Sequence, residues 1–261
     1  MNIAHQGTLS REAEPARCGL RVQIVPPGGR IDVALALRAG LFRRSALCDR
    51  DAYDDAAHHI ILVQPGNPDI ALATARLTLH RDPVSLAASY TGAHYDLGSL
   101  SPKSWPVVEL GRLCIAQGCD GLRVARTLLA AITGFCDQHD ASFLLGCHSF
   151  GGTDPSVHAM SFDLVTQGHL SLPEAFSVRT GCAAFDLGSH LTTHSSAVPP
   201  DGLLASYIAL GTKFSRHGVV DHDLQRCHLL ACLDFRDVPI ARRRMLRQWA
   251  SSLSAGAHVP D

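Results

Sequence analysis

The feature that most constrains this chain is the run from position 107 to 147. It reads "VVELGRLCI", then "GLRVARTLLAAITGFCDQH", then "ASFLLGC". The outer pieces are short apolar runs of strand length. The middle piece sets Leu122, Ala125, Leu128, Leu129, Ile132 and Cys136 on one stripe at helical spacing. Strand, helix, strand in that order is a crossover connection and implies a parallel pair of strands. The first strand, however, carries Glu109 and Arg112, and charged side chains are almost never fully buried unless paired. One reading is an edge strand with a surface ion pair; the other is a strand that lines a reaction site. In a regular strand, residues three apart point to opposite faces. A bulge marked by Gly111 brings both to one side, splays the strand from its neighbour and frees backbone N–H groups.

The rest of the chain supplies one α/β domain over 19–261. Residues 1–18 are polar and expected to be flexible. "LRVQIVP" alternates as a first strand. "RIDVALALRAGLFRRSAL" has Val33, Leu37 and Leu41 at helical spacing, and "DRDAYDDA" is an acidic loop. "HHIILVQ" and "IALATARLTLH" flank the turn "PGNPD" and predict a hairpin. "DGLLASYIALGTKF" reads as a helix, "CHLLACLDF" as a strand and "IARRRMLRQWASSL" as a basic amphipathic helix.

Composition excludes some classes. Hydrophobic residues make up 46% and charged residues 18%, and the formal net charge is -1. This is globular composition without the basic excess of a nucleic-acid protein, so no nucleic-acid partner is expected. No apolar run approaches the roughly 18–20 residues of a spanning helix. The N-terminus shows no apolar secretory region, which gives an expectation of cytoplasmic location. Nine cysteines are scattered without a C-x-x-C pair, and the 15 histidines lack ligand spacing, as in "AHHII" and "HSSA". No metal site is expected.

"ELGRLCI" followed by "LLGCHSFGGTDP" resembles the ornithine-lipid-synthase family. These are GNAT-like amino-acid N-acyltransferases that make lyso-aminolipids, distantly related to acyl-homoserine-lactone synthases. The resemblance runs from about Leu20 to Phe235. Arg38 and Phe42 in "ALRAGLF", Asp51 and Asp54 in "DAYD", Arg76 in "ATARLTL", "YDLGSL", and the C-terminal "PPDGLLASYIALGTKF…VVDHDL" match family elements. The segment after Phe42 is short, and His148 stands where the family usually has a small residue. The implied fold is a GNAT-like mixed, mostly antiparallel sheet, splayed at a central strand and flanked by helices.

The resemblance implies transfer of a 3-hydroxyacyl chain to the α-amine of ornithine, or of glutamine or lysine, with no tightly bound cofactor. The donor would be 3-hydroxyacyl-phosphopantetheine on acyl carrier protein. "AQGCDGLRVA" is not a glycine-rich diphosphate loop, whereas coenzyme A carries a diphosphate and a carrier arm only one phosphodiester. An α-ammonium must lose a proton before it attacks a thioester, and Glu109 is the candidate base. Arg112 would hold Glu109 and the acidic loop in register, and freed N–H groups would polarise the carbonyl. Asp51 and Asp54 are read as partners of Arg38, Arg76 or Arg112, as contacts to the amine, or as a solvated turn. Ser149 is either a proton donor to the leaving thiolate or a local cap; His148 either packs or touches the amino acid.

The arginines of 240–253 suit an anionic membrane surface, an acidic carrier protein or plain solvation. Peripheral attachment to the inner membrane is the matching expectation. An acyl-homoserine-lactone-type synthase and a non-catalytic binding protein for carrier protein or acyl chains are the rival readings.

Overall fold

The computed structural model describes residues 20–42, 48–98, 100, 102–167, 172, 176–190 and 202–254. The expectations for residues 1–18 and for "HSSA" lie outside them. In chain order, β1 (Arg21–Val25) and α1 (Asp32–Phe42) precede the hairpin β2 (His58–Gln64) and β3 (Asn67–His80). The short helices α2 (Pro83–Ala87) and α3 (Tyr90–His94) lead to β4 (Val107–Ile115), α4 (Gly121–Gln138) and β5 (Phe143–Gly151). Then come α5 (Ala159–Thr166), β6 (Ala184–Asp186), α6 (Gly202–Leu210), β7 (Lys213–Asp221), β8 (Arg226–Asp234) and α7 (Ile240–Ser254).

The strands form one sheet in the order β1-β2-β3-β4-β5-β8-β7-β6. Among the described strands only β4 and β5 run parallel, as the crossover demands. Alternation decides what covers each face. Ile60 and Leu62 of β2, with Ala73, Ala75 and Leu77 of β3, pack toward Leu128, Ile132 and Phe135 of α4. Ile61, Val63 and Ala71 face Ala34 and Leu35 of α1. Each large side chain so buried contributes about 1.5–3 kcal/mol.

Three details differ from the sequence pattern. Leu122 is 64% exposed, and the buried face of α4 is turned toward Val124, Ala131 and Phe135, because the helix is wedged between the sheet and α7. The helix expected through Phe214 stops at Leu210. Gly211 adopts φ 89, a left-handed helix end, and Lys213 begins β7. The hairpin turn is only Pro65–Gly66, with Gln64 already opposite Asn67.

The centre of the sheet is where the ladder fails. β4 and β5 pair as Val107↔Phe143, Val108↔Leu144 and Glu109↔Leu145, and their register ends there. At the next step a Cβ on Gly146 would strike the Leu110 carbonyl oxygen, so the two backbones touch before they part. On its other side β4 is bulged. Arg76↔Gly111 is followed by Thr74↔Cys114, so Arg112 and Leu113 together oppose Ala75. Gly111 keeps its partner. The strained residue is Arg112, at φ 49, one position later than expected.

Candidate active site

Three arginines from three elements converge on the loop after α1. Arg38 of α1 donates from Nε to Asp49 Oδ2 at 2.9 Å and from Nη1 to Asp54 Oδ1 at 2.8 Å. Arg76 of β3 donates from Nη1 to Asp51 Oδ1 and, at 3.1 Å, to Asp54 Oδ1. Arg112 of β4 donates from Nε to Asp49 Oδ2 at 2.9 Å and from Nη2 to Asp51 Oδ2 at 2.8 Å. The loop closes on itself as well, with the Asp51 N–H donating to Asp54 Oδ2 at 2.9 Å. Burial pushes the Asp54 carboxyl up, but Arg38, the Asp51 N–H and Arg76 outweigh it and hold it down to about 2. Buried charges persist here because each is paired. Asp49 and Asp54 side chains are 0% exposed and that of Asp51 is 14%, so Asp51 is the acid of the three that faces outward.

Glu109 and Arg112 do not meet. Arg112 is drawn by the bulge to the acidic loop, while Glu109 accepts a 2.6 Å hydrogen bond from the Thr91 N–H of α3. His80 Nε2 stands 3.9 Å from its other oxygen. Burial pushes the Glu109 carboxyl up, but His80, Thr91 and the charge of Arg76 overcome this and hold it below the ordinary glutamate range. Arg76, rather than Arg112, is the guanidinium whose charge adds to His80 and Thr91 in lowering Glu109. With Glu109, four carboxylates share one neighbourhood with three guanidinia.

Beyond the last β4–β5 pair opens a cavity of about 240 Å³, lined by Phe42, Arg76, Tyr90, Arg112, His148, Ser149, Tyr207 and Arg226, among others. Phe42 lies between two guanidinia, Arg112 at 5.3 Å and Arg226 at 4.7 Å from its ring centre. Arg226 also donates to the Leu41 carbonyl at 2.7 Å. Ser149 lies on β5 opposite His228, within the strand rather than at a cap. His148 is buried against Phe150 and Tyr207 while still lining the cavity. Glu109 is one layer behind the wall. A second, apolar pocket of about 50 Å³ shares Leu110, Cys147, His148 and Tyr207 with the first and runs on to Leu129, Ile132, Leu210 and Leu233. The cavity thus has a charged end and an apolar end.

Two thiols line the charged cavity. Burial pushes Cys114 up to about 12 and Cys147 well above the ordinary thiol range. Both stay protonated at neutral pH, which disfavours an acyl-cysteine intermediate. Asp120 caps α4, accepting from the Arg123 N–H at 3.2 Å. Much of the apolar side of α7 turns to the protein: Ala250 is buried, Leu246 and Leu253 pack partly buried against the core, and Arg247 pairs with Asp137, while Ile240 is exposed. Arg242 and Arg244 remain exposed.

Sequence reasoning missed Asp49, His80, Tyr90, Thr91, Tyr207 and Arg226. Asp49 was visible inside "DRDAYDD". Tyr90 and Thr91 gave no signal, because a five-residue helix has no periodicity to read.

The family model described as "Acetyltransferase (GNAT) domain" matches residues 36–130. An L-ornithine N(alpha)-acyltransferase of Agrobacterium fabrum is 24% identical over 199 residues, covering 71% of this chain and 67% of that protein. The enzyme of the same name from Rhodobacter capsulatus is 24% identical over 240 residues, covering 89% of this chain and 90% of that protein. Among solved structures, FeeM, an N-acyl amino acid synthase from uncultured soil microbes, aligns with a TM-score of 0.49 at 9% identity, covering 85% of this chain and 97% of that one. The matched domain, the single parallel pair and the splay after it make this a GNAT-like fold: a mixed, mostly antiparallel eight-stranded sheet flanked by helices.

Proposed function

We propose that the protein is an amino-acid N-acyltransferase that moves a 3-hydroxyacyl chain from acyl carrier protein to the α-amine of ornithine, the first acylation of an aminolipid. The observation that carries this reading is the cavity opened where β4 leaves β5, with an ion cluster at one end and apolar walls at the other. An acyl thioester needs the apolar end, and a zwitterionic acceptor needs the charged one. In the ion cluster, carboxylates outnumber guanidinia by one, which favours an added ammonium. Arg226, across the cavity, suits the acceptor's carboxylate. The relatives that share the name L-ornithine N(alpha)-acyltransferase support the same acceptor.

In this mechanism Asp51, the least buried of the three acids that pair with the arginines, orients the α-ammonium. Glu109 takes its proton through water, since the carboxylate stands behind the cavity wall. The freed amine attacks the thioester carbonyl, and the unladdered backbone of β4 stabilises the oxyanion. Collapse of the adduct breaks the C–S bond, the remaining proton of the attacking nitrogen passes by way of the Ser149 hydroxyl to the departing thiolate, which leaves as the carrier's thiol, and His148 with Phe42 borders the acyl and amino-acid portions. The reaction is a direct transfer, since both thiols of the cavity are protonated. Carrier protein is favoured over coenzyme A because Asp120 sets a negative charge at the start of α4, where a diphosphate would need bare N–H groups.

The test is incubation with 3-hydroxyacyl carrier protein, or the same chain on coenzyme A, and a panel of amino acids, read by mass spectrometry. The expected product is Nα-acyl-ornithine, with higher kcat/KM for the carrier-protein donor. Equal kcat/KM for the two donors would remove the donor assignment. No acylated amino acid from any combination would favour a binding protein, and an acyl-homoserine lactone from S-adenosylmethionine would favour the synthase rival.

A further inference from the structure

Behind the cavity wall, His94 of α3, Asp221 at the end of β7 and His228 of β8 form a cluster that the proposed reaction does not use. One ring nitrogen of each histidine and one carboxylate oxygen of Asp221 all lie within 4.8 Å of one another. The tautomer of His228 follows from its neighbour. The Tyr95 hydroxyl donates to the His228 carbonyl oxygen at 3.0 Å, which uses its only proton. Its oxygen, 3.2 Å from His228 Nδ1, must then accept from that nitrogen. A neutral imidazole protonated at Nδ1 leaves Nε2 with a bare lone pair. His228 is 0% exposed, and its Nε2 has no hydrogen-bond partner. A buried acceptor without a donor calls for an occupant.

Asp221 is held as metal-bound carboxylates are. The Tyr90 hydroxyl donates to Oδ2 at 2.7 Å and the Leu224 N–H to Oδ1 at 2.9 Å, which fixes its orientation and leaves lone pairs to spare. We propose that His94, Asp221 and His228 bind one first-row divalent cation, with zinc the best fit to two imidazoles and a carboxylate. Donors bound to one zinc stand roughly 3.4 Å apart for bonds of about 2.0–2.1 Å, so loading draws the three inward. The cation would pin α3, whose Thr91 N–H holds Glu109 and whose Tyr90 lines the cavity.

The full-length protein, stripped with chelator and dialysed, is titrated with Zn²⁺ by calorimetry and with Co²⁺ by visible absorption. One equivalent should bind with low-micromolar or tighter Kd, with a rise in Tm and cobalt bands of a nitrogen–oxygen site. Binding should vanish in His94→Ala and in His228→Ala and survive in His222→Ala, an exposed histidine beside the cluster. If His228→Ala does not fold, His94→Ala decides, since that ring is only half-buried. No binding to the parent means a water or nothing fills the site and overturns the proposal. Unchanged stoichiometry in His94→Ala would assign the metal to other residues, such as the free cysteines, and overturns it equally.

Discussion

Arg112 Nη2 stands 2.8 Å from Asp51 Oδ2, tying the strained residue of the β4 bulge to the least buried of the three paired acids after α1. Its Nε holds Asp49 at the same time. Replacing this arginine by methionine keeps the bulk but leaves two carboxylates short of a partner. Breaking a buried pair from one side costs about 3–5 kcal/mol. Arg112→Met is expected to lose that much in urea unfolding, and Asp51→Asn a comparable amount, because its carboxylate serves the buried Arg76 and Arg112. Asp51→Asn should also raise KM for the amino acid. Equal stability of Arg112→Met and parent would mean the ion cluster does not hold the loop.

The same cluster sets a pH dependence. The Asp54 carboxyl is held at about 2 against an ordinary 3.8. A depressed folded value stabilises the native state at all pH above the unfolded value, and that contribution is lost as pH falls from near 3.8 through about 2. Glu109, also lowered, acts in the same direction. Melts between pH 5 and pH 2 should therefore show a steep fall in Tm, and Asp54→Asn, less stable at neutral pH, should show a shallower one. Parallel slopes for the two would remove Asp54 as a source of acid lability.

Gly146 marks the point where the sheet opens. An added Cβ would meet the backbone oxygen of Leu110, which cannot rotate away. Gly146→Ala is expected to cost about 1–3 kcal/mol and to lower kcat by shifting β5 against β4. Gly151, at the end of the same strand with open space around it, should accept alanine without loss. If both variants match the parent in melt and rate, the close contact does not set the splay.

On α7, Arg242 and Arg244 are exposed but no broad apolar face is left to enter a bilayer. Attachment to anionic lipid would then rest on charge, at about 1 kcal/mol per arginine near the surface. Co-sedimentation with phosphatidylglycerol-containing vesicles should fade at high salt and fall when both arginines become glutamine. Salt-resistant binding would require an inserted apolar segment instead.

The crossover, the hairpin and the parallel centre were legible because periodicity and strand–helix–strand order depend on local pattern. Glu109 and Arg112 were legible as charges out of place in an apolar strand, whereas Arg38 and Arg76 were legible only through the family resemblance. Their partners were not. Whether Arg112 reaches Glu109 or Asp51 depends on which residue of "ELGR" carries the bulge, a one-position difference that the glycine misdirected. Thr91 reaches Glu109 from a five-residue helix whose sequence resembles a loop, and His80 from the last residue of β3. Arg226 arrives from the far end of the chain, brought in by the β5–β8 pairing.

The most direct measurement is kcat of Glu109→Gln with 3-hydroxyacyl carrier protein at saturating ornithine and neutral pH, beside a thermal melt. Glutamine keeps the size of the side chain and an oxygen for the Thr91 N–H, so the fold should survive. It cannot take a proton. The expected result is a fall in kcat of about 10² to 10⁴ with a melt close to that of the parent. Near-parental kcat with an intact melt would contradict the assignment and leave Glu109 as a structural anchor for α3.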